Sequence, residues 1–132
     1  MGDEFEVTVT GLGELDVTLS RAASRALPET EAVVTRTAEL VTQGWRARWA
    51  GIGHAPALPA AVGFDLYHLP GSVRARIGPD KNARQGALGN IFEYGTVNNP
   101  PIPGGAPSLD EQAPAFASAL DALAARLVEG DA

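Results

Sequence analysis

The sequence contains no cysteine among its 132 residues. Without thiols the chain forms no disulfide, no thiolate zinc site, no iron–sulfur centre and no cysteine nucleophile. It also lacks any run of about 18 apolar residues of the kind that spans a membrane. Its first residues are acidic, whereas a secretory signal peptide begins with basic ones. We therefore expect a protein that has no membrane partner.

Basic residues are scarce as well. Ten Lys and Arg stand against sixteen Asp and Glu, which gives a net charge of −6. This balance disfavours a protein that neutralises a phosphate backbone, so we expect no specific recognition of nucleic acid. With 45% apolar and 20% charged residues, the composition is typical of a globular chain. The length predicts a single domain over residues 1–132.

The first half of the chain predicts one strand followed by two helices. Residues 5–9 alternate apolar and polar side chains, which is typical of a strand. Leu15 and Leu19 fit helical spacing and predict a first helix over residues 14–25. A longer second helix, from about residue 28 to residue 49, is predicted from apolar residues spaced by three or four positions. These are Val34, Ala38, Val41, Trp45 and Trp49. This spacing favours two core tryptophans over a platform for nucleic-acid bases.

A β-hairpin is predicted next. Residues 62–68 and 73–77 alternate in the manner of strands. Between them, Pro70 and Gly71 occupy the central positions of a type II turn. Arg74 and Arg76 fall on the outward face of the second strand.

The last third of the chain predicts a short helix, a loop and a terminal helix. The short helix covers residues 84–94, with Ala87, Leu88 and Ile91 facing inward. Residues 95–108 hold four prolines and three glycines, which exclude continuous regular hydrogen bonding. Ser108 and Glu111 have the spacing of a capping box that begins the terminal helix. The predicted fold class is therefore α+β, with a small antiparallel sheet packed against a long helix.

Titratable residues offer little sign of chemistry. The two histidines match no metal-ligand spacing, and no serine has the Gly-x-Ser-x-Gly context of a nucleophile. The glycines at 11 and 13 are followed by Asp16 where a dinucleotide loop has its third glycine. We expect no catalytic residue, no cofactor and no metal. The alternative is a small enzyme or ligand-binding domain that uses His54, His68, Asp65 and Glu93.

The most specific segment is Asn90-Ile91-Phe92-Glu93-Tyr94-Gly95-Thr96. Together with the opening Val7-Thr8-Val9-Thr10-Gly11-Leu12-Gly13-Glu14-Leu15, it resembles the tail-completion family of long-tailed bacteriophages, which comprises neck and minor tail proteins. The order of long helix, hairpin, short helix, loop and terminal helix is similar too. The chain departs from the family at residues 100–107, where the family has a proline-phenylalanine-leucine-x-proline-alanine stretch.

The resemblance implies a structural virion protein without enzymatic activity. Such a subunit acts in the neck or at the tail end, completes the tail and joins it to the head through ring-forming contacts. Its expected partners are copies of itself, the adjoining head-to-tail connector and the tail-tube proteins, with DNA passing through the ring. Assembly takes place in the host cytoplasm. A tail terminator or a head-closure subunit is the alternative within this class.

A candidate assembly interface follows from charge, from the segment that carries the resemblance and from the proline-rich loop. It comprises Arg74, Arg76, Lys81, Arg84, Glu93, Tyr94, Val97, Pro100, Pro101, Ile102 and Pro103. Acidic residues near the start of the chain, including Glu14 and Asp16, are expected on a different surface, so that unlike charges pair between copies. Glu93 falls at the unfavourable end of a helix dipole, and we expect an arginine or backbone amides of a neighbouring copy to bind it.

Overall fold

The structure is a computed structural model that describes residues 5–10, 14–19, 27–53 and 55–130. Its elements are β1 (Phe5–Thr10), β2 (Glu14–Leu19), α1 (Leu27–Trp49), α2 (Leu58–Ala61), β3 (Val62–Leu69), β4 (Ser72–Pro79), α3 (Gly89–Tyr94) and α4 (Gly105–Gly130). One turn of 3-10 helix, Gly86–Leu88, precedes α3. The predicted α+β class is confirmed. None of the helices in the described ranges combines the length and apolarity that crossing a membrane requires.

The strands form one four-stranded antiparallel sheet in the order β1-β2-β4-β3. The predicted hairpin is β3 and β4, closed by the pair Leu69 and Ser72. Gly71 has φ of 74°, as the third residue of a type II turn requires. The prediction of an N-terminal strand is confirmed as well.

The prediction of a helix over residues 14–25 is wrong for residues 14–19, which form β2. This strand lies between β1 and β4, so that Val17 pairs with Val7 on one side and Val73 on the other. Leu15 and Leu19 fit a helical period, but positions 15, 17 and 19 also alternate with polar residues. Pairing on both sides satisfies the backbone of this short segment and favours the strand. Residues 20–25 lie outside the described part of the chain.

Helix α1 packs against the sheet on one side and α4 on the other. All five predicted stripe residues are buried, including Trp45 and Trp49, which are 1% and 0% exposed. They meet Val73, Ala75 and Ile77 from β4 in the core cluster. The stripe explains both the length of α1 and its central place.

The segment before α3 packs through its glycines. Leu88 is half-buried and packs against the core cluster, as predicted, but Ala87 and Ile91 are exposed, so the predicted inward face is wrong for those two residues. Gly86 and Gly89 are buried instead. A Cβ at Gly86 would overlap the carbonyl of Asp80, and one at Gly89 would overlap the ring of Pro79. Close backbone approach, which apolar periodicity does not report, therefore orients this segment.

Helix α4 begins at Gly105 rather than at a cap formed by Ser108. The Ser108 hydroxyl donates to the carbonyl oxygen of Gly104 at 2.6 Å, so Ser108 lies within the first turn. Residues 105–108 of the predicted loop are therefore helical. Phe116, Leu120 and Leu123 are buried, as the predicted apolar face requires.

Candidate assembly site

Glu93 lies at the centre of the site, in the last turn of α3. Its side chain is buried, with 5% exposed. Its carboxylate accepts hydrogen bonds from the backbone N–H groups of Gly104 at 2.9 Å, Gly105 at 3.1 and 3.2 Å, and Ala106 at 3.4 Å. N–H groups at the start of a helix have no intrahelical partner, and the helix dipole favours a negative charge there. Glu93 therefore caps α4 from outside that helix.

The expectation that a neighbouring copy binds Glu93 is wrong. The backbone amides that bind it belong to the same chain, because residues 95–104 return the start of α4 to the end of α3. These amides offset the unfavourable position of an acid at the C-terminal end of α3. Glu93 shapes the site and does not itself form its outer surface.

Two tryptophans of α1 form the floor beneath this cap. The rings of Trp45 and Trp49 meet edge to face, with centroids 5.6 Å apart. A Cβ on Gly104 would lie 2.5 Å from Cδ1 of Trp45, and one on Gly105 would lie 2.6 Å from its Cη2. The two glycines thus let the start of α4 approach the indole. We call Glu93, Gly104, Gly105, Trp45 and Trp49 the capping node.

The segment between α3 and α4 is held by hydrogen bonds at several points. Ile102 N–H donates to the carbonyl of Phe92 at 2.6 Å, and Trp49 Nε1 donates to the carbonyl of Ile102 at 2.8 Å. Nearer α3, Thr96 N–H donates to Asn99 O at 2.8 Å, and Asn99 N–H donates to Thr96 O at 3.2 Å. The segment therefore contains a hydrogen-bonded turn at residues 96–99. Its base, at Ile102, is hydrogen-bonded to Phe92 of α3 and to Trp49 of α1.

Several large apolar side chains near this turn are exposed to solvent. Ile91 is 45% exposed, Tyr94 63%, Val97 101% and Ile102 42%. The three prolines of the predicted interface, Pro100, Pro101 and Pro103, are exposed too. We call the exposed apolar residues from position 91 to position 103 the apolar segment: Ile91, Tyr94, Val97, Pro100, Pro101, Ile102 and Pro103. Several exposed apolar side chains on one short segment, whose backbone is held by hydrogen bonds, are typical of a protein contact surface.

Gly95 permits the turn that follows α3. Its φ of 78° and ψ of −178° lie in a region that is essentially restricted to glycine. We expect Gly95→Ala to lower the free energy of unfolding by about 2 kcal/mol, because a Cβ there would also lie 2.7 Å from Asn99 O. Urea denaturation measures the change. Gly51→Ala is the control, since a Cβ at Gly51 meets nothing within 4 Å; equal losses in the two variants would contradict this account.

The arginines of the hairpin have acidic residues as neighbours in the sheet. The register places Glu14 opposite Arg76 and Asp16 opposite Arg74. On its other side, Arg76 pairs with Asp65. The expectation that Glu14 and Asp16 lie on a different surface is therefore wrong, because residues 14–19 form the strand beside β4. Opposite charges at paired positions favour the sheet itself, and the proposed charge contact between copies loses its basis here.

The remaining predicted cations follow β4. Lys81 and Arg84 are both exposed in the turns that lead to the 3-10 helix. They are separate from the apolar segment in sequence, and neither forms an ion pair within the described part of the chain. Their place at an interface stays a prediction.

The residues of the alternative enzymatic site have separate surroundings. His68 Nε2 lies 3.0 Å from Glu31 Oε2 of α1, and Asp65 is exposed on β3. Glu93 binds the amides of α4. In the part of the chain that the structure describes, no three His, Asp or Glu residues are placed to hold a metal ion. His54 lies outside the described residues.

Arg48 is a residue of the site that the predicted assembly interface did not include. Its Nη1 donates to Ser108 Oγ at 2.9 Å, and its Nη2 donates to Glu111 Oε2 at 2.6 Å. It thereby connects the end of α1 to the first turns of α4. Gly104 and Gly105 were also missed, although adjacent glycines before an apolar helical pattern are a detectable sign of close packing.

The Arg48 guanidinium lowers the pKa of Glu111 through its hydrogen bond and its charge. A lowered pKa means that this contribution to stability is present above the ordinary carboxyl pKa and is lost as pH falls through the lowered one. We expect Arg48→Met to raise the pKa of Glu111 towards its ordinary value, as followed by NMR titration of the carboxyl carbon. Arg36→Met, which removes another arginine of α1, is the control and should leave that pKa unchanged. An unchanged value in both variants would contradict the assignment.

Comparison with known proteins gives no match to any family model, curated protein or solved structure. The resemblance to tail-completion proteins thus depends on residues 7–15 and 90–96 and on the order of elements. The structure contains the long helix, the hairpin, the short helix, the loop and the terminal helix of that order. It differs after the opening strand, where β2 replaces the expected helix over residues 14–19.

Proposed function

We propose that the chain is a structural, non-enzymatic virion protein of a tailed bacteriophage. It acts in the neck or at the tail end, where it completes the tail and joins it to the head through ring-forming contacts. The observation that carries this proposal is the capping of α4 by Glu93. Through this capping, the short motif at residues 90–96 fixes the position of one exposed segment, the apolar segment.

The last four residues of that short motif each have a defined place. Glu93 holds the start of α4, and Tyr94 projects as an exposed aromatic side chain. Gly95 adopts a backbone conformation that is essentially restricted to glycine. Thr96 closes the turn with Asn99 through backbone and side-chain hydrogen bonds. The motif therefore builds a surface, which is what an assembly subunit requires.

The apolar segment suits contact with another protein because its base is fixed before binding. Hydrogen bonds from Trp49 to Ile102 and from Ile102 to Phe92 hold the backbone. A contact surface ordered in advance loses less conformational entropy on association. The partners we propose are copies of the chain itself, the adjoining connector and the tail-tube protein.

The experiment starts from the phage or prophage that encodes the chain, with its gene interrupted. We expect unjoined heads and tails, and a return of complete particles when the intact gene is supplied. Labelled protein should be found in purified virions at the neck or tail end, and its position separates tail completion from a terminator or head-closure role. Normal particles from the interrupted phage, with no copy of the chain in the parental virions, would overturn the proposal.

Two variants test the apolar segment in the same assay. Val97→Asp places a charge on the fully exposed tip of the turn, so we expect a folded protein that fails to enter particles. Ala122→Asp places the same charge on an exposed position of α4 and should restore assembly. Circular dichroism verifies folding of both proteins. Equal incorporation of the two would show that the segment is not a contact surface.

A further inference from the structure

The sheet ends in two strands that each have a single partner among the described residues, β1 and β3. An edge strand presents a row of backbone N–H and C=O groups that another strand can pair with. The row on β3 can be identified from one contact. Arg46 donates to the carbonyl of Val62 from Nε at 2.9 Å and from Nη2 at 2.6 Å, so this carbonyl points away from β4.

Alternate residues of a strand direct their backbone groups to the same side. The residues whose backbone N–H and C=O groups point away from β4 are therefore Val62, Phe64, Leu66 and His68. The pair Leu69 and Ser72, which closes the two-residue turn, belongs to the inward set. Arg46 binds the carbonyl of Val62. The backbone N–H and C=O groups of Phe64, Leu66 and His68 have no hydrogen-bond partner among the described residues, and we call them the open edge.

Neither of the two described edge strands has the interruptions that commonly prevent pairing. Natural proteins often interrupt an edge strand with proline, lysine or a β-bulge. The register of β3 with β4 is continuous over Val62–Leu69, and that of β1 with β2 is continuous over Phe5–Thr10. Neither strand contains proline or lysine. Two continuous edge strands without proline or lysine in one small sheet are suited to pairing with other strands.

The directions of the two edges identify the partner. Every neighbouring pair in the sheet is antiparallel, so β1 and β3 run in opposite directions. A second copy in the same orientation, placed beside β3, therefore offers its β1 in the antiparallel sense. An antiparallel pair continues the pattern that the other strands already follow.

The two faces of the sheet also continue across such a junction. The register aligns positions 7 and 9 with the buried residues Val73 and Ala75 through β2. On β3, Phe64 and Leu66 pair with Ile77 and Ala75 and pack against the same core. The apolar face of one copy would thus meet the apolar face of the next.

From these observations we propose that β3 of one copy pairs with β1 of the next, which joins the sheets of neighbouring subunits edge to edge. The contact is heterologous, uses both edges of every copy and closes into a ring where the rotation permits. The ring rests on the proposed function, whereas the strand pairing is a property of the chain alone. The proposal names the contact by which the subunits associate.

Cross-linking of the full-length purified chain tests this pairing, and the absence of natural cysteine makes engineered ones specific. Thr8→Cys and Tyr67→Cys are combined in one chain, with Glu6→Cys and Thr10→Cys as shifted alternatives to Thr8→Cys. Within one chain, positions 8 and 67 lie in one row on strands separated by two others. They are about 14 Å apart by strand spacing, which a disulfide cannot span.

We expect the double variant to form a covalent ladder beyond the dimer on oxidation, because each chain links to two neighbours. Each single variant should stay largely unlinked. A dimer from Tyr67→Cys alone would instead indicate pairing of β3 with β3, and would overturn the proposal. So would the absence of a ladder from all three double variants.

A second pair of variants tests the backbone of the edge. His68→Pro removes an N–H group that points away from β4. The hydrogen bonds between β3 and β4 stay intact, so the protein should fold. His68→Ala is the matched control, since it keeps that N–H and also loses the contact with Glu31. Introduced into the double-cysteine variant, the proline should reduce the amount of cross-linked oligomer roughly tenfold relative to alanine. Equal amounts from the two variants would contradict the pairing.

The virion assay separates this inference from the proposed function. If virions contain rings of the chain but the cysteine variants do not cross-link, the strand pairing is contradicted and the proposed function is supported. A ladder formed by a chain that is absent from virions would keep the pairing and remove the function.

Discussion

Replacing Trp49 with alanine should lower the free energy of unfolding by about 3 to 5 kcal/mol. The indole is fully buried and packs against the rings of Trp45 and Phe92, at centroid distances of 5.6 and 6.4 Å. Its N–H also holds the carbonyl of Ile102. The substitution therefore leaves a cavity in the core and releases the base of the apolar segment.

Thermal unfolding and urea denaturation measure this loss, which corresponds to a fall in Tm of roughly 10 to 20 °C. Trp49→Phe helps to separate the two contributions, because it keeps an aromatic ring in the core but removes the N–H donor and part of the indole volume. We expect its loss to be nearer 1 to 2 kcal/mol, the range for a hydrogen bond plus a small change in packing. An alanine variant as stable as the parent would remove Trp49 from the core.

Replacing Glu93 with glutamine should lower the free energy of unfolding by about 2 to 3 kcal/mol. The two side chains have nearly the same shape, but the amide loses the negative charge and replaces one acceptor oxygen with a donor. The N–H groups of Gly104, Gly105 and Ala106 share both carboxylate oxygens. A buried hydrogen bond to a charged group contributes about 1.5 to 3 kcal/mol, and a donor left without an acceptor adds its desolvation cost.

The matched control for Glu93→Gln is Glu39→Gln, which makes the same chemical change at an exposed position of α1. We expect that control to change the free energy by less than about 0.5 kcal/mol. Hydrogen exchange adds a local measurement, since the amides of residues 104–106 should lose protection in the Glu93 variant. Similar stabilities of the two glutamine variants would show that the carboxylate does not cap α4.

The sequence predicts α1 and the hairpin well because in each case one physical signal dominates. The stripe from Val34 to Trp49 fits a helix over several turns and offers no competing period. The Pro70-Gly71 pair sets the turn, and the alternation on both sides of it sets the strands. Local chemistry and tertiary packing agree at these positions, so a reading of local pattern succeeds.

Strand β2 shows where such a reading fails. Leu15 and Leu19 are compatible with a helix, and Leu15, Val17 and Leu19 are compatible with a strand. The choice depends on whether partners are present on both sides, and those partners are residues 5–10 and 72–76. A strand that is fixed in part by pairing with a distant segment, here residues 72–76, carries a weak local signal.

The site was predictable in position and not in its internal contacts. The short motif and the proline-rich loop locate the exposed segment correctly, and the sequence indicates that Glu93 needs a partner. It does not reveal that the partner is the start of α4 in the same chain. Ser108 and Glu111 have the spacing of a capping box, but Glu93 caps the helix three residues earlier and Arg48 binds both residues instead.

The capping node contains both tryptophans of the chain. Intrinsic tryptophan fluorescence therefore reports on this one region, whereas far-ultraviolet circular dichroism reports on the helices and strands as a whole. Coincident unfolding curves from the two signals would mean that the node and the rest of the fold unfold together. An earlier fluorescence transition would identify the node as a separate, weaker unit, so that an apolar surface could be released while the helices persist.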